Sequence, residues 1–180
     1  MGDRERREEI LGEGRYLVLK SADGWEWVER RRINEIAVIV AVTSDQKAVL
    51  VEQYRTPVRA RMIEWAAGLV GDEESLDGEH LLDAANRELE EETGFRAGEV
   101  ELFFEGPPSG GQSSEIVSFI RASKLERVGP GGGVGDEDIK VHLVPLAGID
   151  AWLDDRAKEG LIIDAKIYAG LYFLSRMQAR

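Results

Sequence analysis

A single acidic segment, residues 79–95, limits the fold and the chemistry of this chain more than any other part of its sequence. Its apolar residues recur with helical spacing, which predicts a helix over Glu79–Glu92 that is stopped by Gly94. Three glutamates of this helix lie three or four residues apart and so share one face: Glu88, Glu91 and Glu92. Carboxylates on one face repel one another. The face is therefore either solvated, as most acidic helix faces are, or neutralised by a hard cation such as Mg²⁺.

The net charge and the missing residue types exclude several classes of protein. The chain has 180 residues, enough for one domain with a full core, and a formal net charge of −12, which argues against a nucleic-acid partner. Cysteine is absent, which excludes a disulfide scaffold, a thiol nucleophile and a thiolate metal site. No apolar run is long enough to span a bilayer, and the segment of the first ten residues is charged rather than apolar. We therefore expect no membrane partner and a cytoplasmic location.

Apolar runs in the rest of the chain predict a mixed β-sheet with a few helices, an α/β (α+β) fold. In residues 1–33, two strands joined by a turn at Asp23-Gly24 predict a β-hairpin extension. Residues 34–180 are predicted to form the main domain, with its sheet sandwiched between helices. Its predicted elements are strands at 36–43, 48–54, 99–105, 116–122 and 138–145, and helices at 79–92, 149–159 and after Asp164.

The order of residues in the acidic segment resembles the signature of the Nudix hydrolases. That signature has a glutamate, seven further residues and then the run Arg-Glu-apolar-any-Glu-Glu-any-Gly-apolar. In this chain Glu79 is followed by seven residues and then by RELEEETGF. The signature glycine, expected six residues before Glu79, is replaced by Glu73. We align that glycine instead with Gly68, in a stretch that resembles the Glu-x-Pro-Ala-Gly of ADP-ribose-type members. The alignment implies about five extra residues in the loop 69–78, which a surface loop tolerates.

The resemblance implies a Nudix fold and a divalent metal site for Mg²⁺ or Mn²⁺. The metal ligands that it assigns are Glu88, Glu92 and the main-chain carbonyl of Ala67. Glu91 lies beside them as a candidate catalytic residue. Arg87 is four residues before Glu91 and can hold its carboxylate in place, while Glu79 is expected to orient the metal shell. A cation in this place would also let an acidic protein bind an anionic diphosphate.

Two loops beyond the acidic helix carry further candidate catalytic residues. Glu137 lies in the run DEDI at residues 136–139, which resembles the Gly-Glu-Asp-Ile segment of ADP-ribose pyrophosphatases. It is a candidate general base or metal ligand, and the alternative is a solvated turn. Glu115 ends the loop 106–114, where similar enzymes have a Ser-Pro-Gly…Glu loop. It is a second candidate base or ligand, and the alternative is a polar loop residue beside a strand.

The resemblance also implies a nucleotide substrate and a homodimer. Arg55, in a run that resembles the Gln-Tyr-Arg of dimeric pyrophosphatases, can clamp a phosphate, or it is a surface arginine. Trp25 and Trp27 can stack on a base, or they pack at a dimer interface. A hairpin alone is marginally stable, so residues 1–33 must pack on something. The resemblance implies that they pack across a two-fold axis, and the alternative is that they cover the sheet of their own subunit.

In residues 128–133, 139–142, 160–166 and 170–173, the C-terminal half most resembles bacterial nucleoside-diphosphate-sugar hydrolases. The resemblance implies hydrolysis of a nucleoside diphosphate sugar to nucleoside monophosphate and sugar phosphate. The alternatives are an ADP-ribose pyrophosphatase and a non-catalytic nucleotide-binding domain of the same fold.

Overall fold

Two β-sheets and three helices make up the residues that the computed structural model describes, which are 8–31, 35–71, 80–135 and 137–178. The predictions made for Glu79, for Asp136, for most of the loop 69–78 and for the boundary between residues 33 and 34 lie outside these residues. The strands are β1 Glu9–Glu13, β2 Leu17–Ala22, β3 Trp25–Arg30, β4 Glu35–Ala41, β5 Lys47–Arg55, β6 Ala60–Leu69, β7 Phe95–Gly106, β8 Ile116–Arg127, β9 Lys140–Pro145 and β10 Ile162–Ile163. The helices are α1 Leu81–Thr93, α2 Ile149–Lys158 and α3 Ala165–Gln178.

The larger sheet is mixed and has the strand order β7-β8-β4-β6-β5-β9, with β10 paired to β6. Strand β4 runs parallel to β8 and antiparallel to β6, and β10 runs parallel to β6. The remaining pairs are antiparallel. Because β6 pairs with β4 through its last residues and with β5 through its first, it joins the two halves of the sheet.

Strand β4 illustrates why the sheet is covered on both faces. Its residues from Ala37 to Ala41 are fully buried, as the continuous apolar run predicts. Ile39 packs in one core cluster with Leu89 of α1. Val40 packs in the other with Leu153 of α2 and with residues of α3. The prediction of an α/β (α+β) sheet sandwiched between helices is therefore confirmed.

The helix boundaries follow local signals in the sequence. Gly94 adopts the left-handed conformation that ends α1, with φ of 73°, and its N–H donates to the carbonyl of Glu90 at 2.8 Å. The Asp164 carboxylate accepts the N–H of Lys166 at 2.9 Å and so caps the start of α3. Among the described residues, no helix has both the length and the apolar character needed to cross a membrane.

The N-terminal extension contains the predicted hairpin and one more strand. Strands β2 and β3 are joined by Asp23 and Gly24, which have φ of 53° and 81°, as hairpin turns of this kind require. Strand β1 adds to β2 and makes the extension a three-stranded sheet, so the two-strand description was incomplete. Strands β6 and β10 were not predicted from the sequence. Strands β7 and β8 are longer than the sequence predicted.

Candidate active site

The acidic face of α1 lies against the end of β6. Leu89 of α1 is fully buried in the core, and this contact turns the neighbouring Glu88 and Glu92 toward the residues of β6. The main-chain N–H of Ala67 donates to the Glu92 carboxylate at 3.2 Å. The structure therefore brings Ala67 and Glu92 together, as the predicted metal-ligand set requires.

Glu92 is a buried carboxyl, with 5% of its surface exposed. Its pKa is raised to about 8, chiefly by burial and then by the nearby Glu88 carboxylate, while the Ala67 hydrogen bond and Arg55 act in the opposite direction. Glu137 also contributes by raising the pKa. Three predicted site residues, Glu88, Arg55 and Glu137, thus act electrostatically on the same carboxyl.

Glu88 lies against a glycine on one side and is bound by an arginine on the other. A Cβ atom at Gly68 would lie 1.9 Å from the Glu88 Cδ, so only glycine leaves room for this side chain. Arg87 donates through Nη1 to Glu88 at 2.9 Å and to Glu91 at 3.1 Å. Arg87 therefore orients Glu91, as predicted from their spacing, and orients Glu88 as well. The contact at Gly68 agrees with its alignment to the signature glycine.

Arg55 reaches the site from the end of β5. Its Nε donates to the carboxylate of Glu64 at 2.7 Å, and Glu64 is buried on β6. Burial raises the pKa of Glu64, Arg55 opposes this effect, and the buried Asp164 adds to it. Arg55 is 40% exposed at its side chain, so it borders the site rather than lying inside the core.

Glu137 is tied to α1 through the glycine-rich stretch that precedes it. The N–H groups of Gly132 and Gly133 donate to the carbonyls of Glu92 and Glu91 at 2.9 and 3.0 Å. The Glu137 carboxylate accepts the N–H of Val134 at 2.9 Å. Gly133 has φ of 88°, and a Cβ atom there would lie 2.4 Å from Glu137 Oε2, so the turn requires glycine. The last turn of α1 and the Glu137 loop are thus one connected unit.

The other predicted residues form a second group, where the N-terminal sheet meets the loop before β8. Strand β3 binds this loop through Val28, whose N–H donates to Gln112 and whose carbonyl accepts from Ser114. Arg30 donates to Glu115 at 2.6 Å. Glu115 is therefore engaged in an ion pair with the extension.

Trp25 and Trp27 line a cavity of about 440 Å³ at this contact, together with residues 110–111 and 113–114. The Trp25 side chain is 64% exposed. A flat aromatic face beside a cavity can stack on a nucleobase, and it can equally pack on another protein chain.

The acidic side chains of the candidate site lie less close together than the ligands of a formed metal site do. Within the described parts of the chain, no three histidine or acidic side chains already form a group that could hold a metal ion. Arg87 binds Oε1 of Glu88, and the Ala67 N–H binds Oε2 of Glu92.

Sequence reasoning missed a charged cluster on the opposite face of the sheet. Glu52, in the middle of β5, is buried and binds Arg61, Lys140 and His142. Arg61 also binds Asp138, beside Glu137. A glutamate directly after the apolar run 48–51 is a signal that could have identified this cluster, because a buried charge requires partners.

Two proteins of known name are similar in sequence to this chain. The chain is 33% identical over 141 residues to the methanol dehydrogenase activator of Bacillus methanolicus, covering 78% of this chain and 72% of that protein. It is also 33% identical over 151 residues to the GDP-mannose pyrophosphatase of Citrobacter koseri, covering 79% and 74%.

A structural comparison adds evidence for the fold. The crystal structure of an ADP compounds hydrolase matches 95% of this chain and 91% of its own, with a TM-score of 0.74 and 22% identity, which shows a shared fold. Residues 33–164 match the NUDIX domain family. Since that match covers most of the chain, the protein belongs to the Nudix family and is a Nudix pyrophosphohydrolase.

Proposed function

We propose that the protein hydrolyses the pyrophosphate bond of a nucleoside diphosphate sugar, releasing nucleoside monophosphate and sugar phosphate, with Mg²⁺ or Mn²⁺ as cofactor. The observation that carries the proposal is the hydrogen bond from the Ala67 N–H to the buried Glu92 carboxylate, which brings two of the proposed metal ligands side by side. The GDP-mannose pyrophosphatase relative supports a nucleotide sugar as the substrate class.

The donor set suits a hard divalent cation. Glu88 and Glu92 offer carboxylate oxygens, and the Ala67 carbonyl offers a main-chain oxygen next to the N–H that already binds Glu92. Mg²⁺ usually takes only a few protein ligands and completes its shell with water and substrate phosphates, so an incomplete protein shell fits it. When bound, the cation supplies positive charge that neutralises the diphosphate and activates water for attack.

Other residues of the chain are proposed to bind the substrate and to transfer the proton. Arg55 is proposed to bind a phosphate oxygen of the substrate, with Glu64 holding its guanidinium in place. Glu137, exposed beside the helix, is proposed as the base that takes the proton of the attacking water, or as a further ligand. Glu91 is proposed to assist as a catalytic residue, held by Arg87. Glu115 is proposed as a second base or ligand, a role that requires its ion pair with Arg30 to break.

The N-terminal sheet is proposed to supply the nucleobase site and the contact between two copies in a homodimer. Trp25 and Trp27 border a cavity of about 440 Å³ that can take a planar ring. Large apolar side chains of this sheet are exposed in the single chain: Ile10, Leu11, Tyr16, Leu17, Leu19 and Trp25. Several large apolar side chains exposed in one short segment of chain are typical of a protein–protein contact.

Two alternatives share this fold. An ADP-ribose pyrophosphatase would use the same metal site with a different sugar. The second alternative is a non-catalytic regulatory domain, and the similarity to a methanol dehydrogenase activator is the observation that favours it. The buried Glu92 favours catalysis, because burying a carboxyl beside Glu88 is destabilising and a bound metal cation would offset that cost.

The deciding experiment measures nucleoside monophosphate and sugar phosphate released from GDP-mannose, ADP-glucose, UDP-glucose and ADP-ribose, with Mg²⁺, with Mn²⁺ and with a chelator. Metal-dependent release from a nucleotide sugar, lost in Glu92→Gln, supports the proposal. A preference for ADP-ribose selects the first alternative. Nucleotide binding without any hydrolysis selects the second and overturns the proposal.

A further inference from the structure

We propose that Arg61 is a positioning residue that acts through Asp138 to place Glu137 in the active site. The inference rests on the catalytic role proposed for Glu137, but the linkage itself is a property of the fold and can be tested without turnover.

Arg61 spans three adjacent strands of the sheet. It sits on β6 opposite Tyr54 of β5, and its guanidinium crosses β5 to reach the residues just before β9. Its Nε binds the Glu52 carboxylate at 2.5 Å, and its Nη2 binds the Glu52 carbonyl at 3.3 Å. Its Nη1 binds the Asp138 carboxylate at 2.7 Å, and Nη2 also reaches the Asp138 carbonyl at 3.2 Å. Contacts to both the side chain and the main chain of Asp138 hold the backbone next to Glu137.

Glu52 holds the Arg61 guanidinium in place. The Glu52 side chain is buried and also binds Lys140 at 3.2 Å and His142 at 3.1 Å. Burial alone would raise its pKa, but hydrogen bonds from Lys140, Arg61 and His142 hold the pKa below its ordinary value. Glu52 is therefore an ionised anchor for the guanidinium, and a planar fork of N–H donors suits two acceptors better than an ammonium does.

Arg61 acts from the face of the sheet opposite to the active site. Side chains alternate along β6, so Arg61 shares a face with Ile63 and Trp65, which pack in the core under α2 and α3. Glu64 lies on the other face, where it binds Arg55. Arg61 therefore influences the reaction through the loop it holds and is not itself a catalytic residue.

The loop is fixed at three points that surround Glu137. Its N-terminal side is held by the hydrogen bond from Val134 to the Glu137 carboxylate, and Ile139 is buried in the core beside α1. Asp138, whose side chain is 75% exposed, has Arg61 as its ion-pair partner. Removing that contact frees the one residue between Glu137 and the buried Ile139.

The test compares Arg61→Met, Arg61→Lys and a matched control, Arg121→Met. Arg121 is also a cross-strand arginine, but it pairs with Glu101 of β7 at 3.5 Å, away from the Glu137 loop. With GDP-mannose and Mg²⁺, Arg61→Met should lower kcat by about 10- to 100-fold while KM changes little, because misplacing a reacting group costs that much. Arg61→Lys should recover part of the loss, and Arg121→Met should behave as wild type.

A double variant separates positioning from general damage. In Glu137→Gln/Arg61→Met, kcat should fall no further than in Glu137→Gln alone, because residues that act as one unit are not additive. Hydrogen–deuterium exchange of the peptide 133–140 should rise in Arg61→Met and stay unchanged in Arg121→Met. Additive losses in kcat, or unchanged exchange of this peptide, would overturn the inference. If the wild type hydrolyses nothing, the exchange result still decides whether Arg61 holds the loop, and only the proposed function fails.

Discussion

The main-chain N–H of Ala67 donates a hydrogen bond of 3.2 Å to the carboxylate of Glu92. This contact joins the end of β6 to the last turn of α1, two elements separated in the sequence by residues 70–80. It holds a buried carboxyl beside the backbone whose carbonyl is the proposed third metal ligand. The metal site therefore depends on how β6 and α1 pack, as well as on the glutamates of the helix.

Replacing Glu88 or Glu92 by Gln should abolish most activity and leave the fold intact. The amide keeps the shape of the side chain and removes the carboxylate repulsion. Losing several kcal/mol of transition-state stabilisation corresponds to a fall in kcat of at least about 100-fold. Glu90→Gln is the matched control, because Glu90 lies on the same helix and binds Arg96 instead. Near-normal turnover in both Glu88→Gln and Glu92→Gln would remove the metal assignment.

The stability of the metal-free protein should fall as pH rises from about 4.5 to about 8, as a result of the raised pKa of Glu92. In that window the folded state keeps a proton that the unfolded state has lost, so raising the pH favours unfolding. Urea unfolding in the presence of a chelator measures this slope. Glu92→Gln should flatten it and Glu90→Gln should not; equal slopes in the wild type and Glu92→Gln would contradict the prediction.

Gly68→Ala should weaken metal binding with little effect on folding. The added Cβ would lie 1.9 Å from the Glu88 Cδ, so the Glu88 side chain must turn away from its place beside Arg87. Because a flexible side chain can move, the free energy of unfolding should change by less than about 1 kcal/mol. Calorimetric titration with Mn²⁺ checks the affinity. A variant with wild-type affinity would show that Glu88 is free to bind metal from another rotamer.

Glu137→Gln should lower kcat far more than it raises KM. A base and a metal ligand both act mainly on the transition state, whereas a residue that only binds substrate acts on the ground state. Steady-state kinetics with the preferred nucleotide sugar make the distinction. An increase in KM alone would reduce Glu137 to a binding residue.

Deleting residues 1–33 should convert a dimer into a monomer and weaken substrate binding. The deletion removes the exposed apolar side chains of the extension together with Trp25 and Trp27. Losing one stacked base, worth ~1–3 kcal/mol, should raise KM by at least about fivefold. Light scattering on both proteins measures association. A full-length monomer at micromolar concentration would refute the homodimer and the shared site.

The sequence by itself determined the elements whose signals are local. The spacing of apolar residues and Gly94 predicted α1 and its end, because a helix repeats over a few residues and a left-handed cap favours glycine. The same spacing placed Glu88, Glu91 and Glu92 on one face. Asp23-Gly24 predicted the turn between β2 and β3 for an equally local reason.

Only the tertiary structure decided which distant segments meet. Strand β6 was not predicted because its ten residues do not alternate regularly between polar and apolar. Its pairing with both β4 and β5 depends on the register across the sheet. The contacts of Gly68 with Glu88 and of Arg61 with Asp138 join residues 20 or more positions apart. Such contacts follow from packing and strand order, which side-chain periodicity in one segment does not encode.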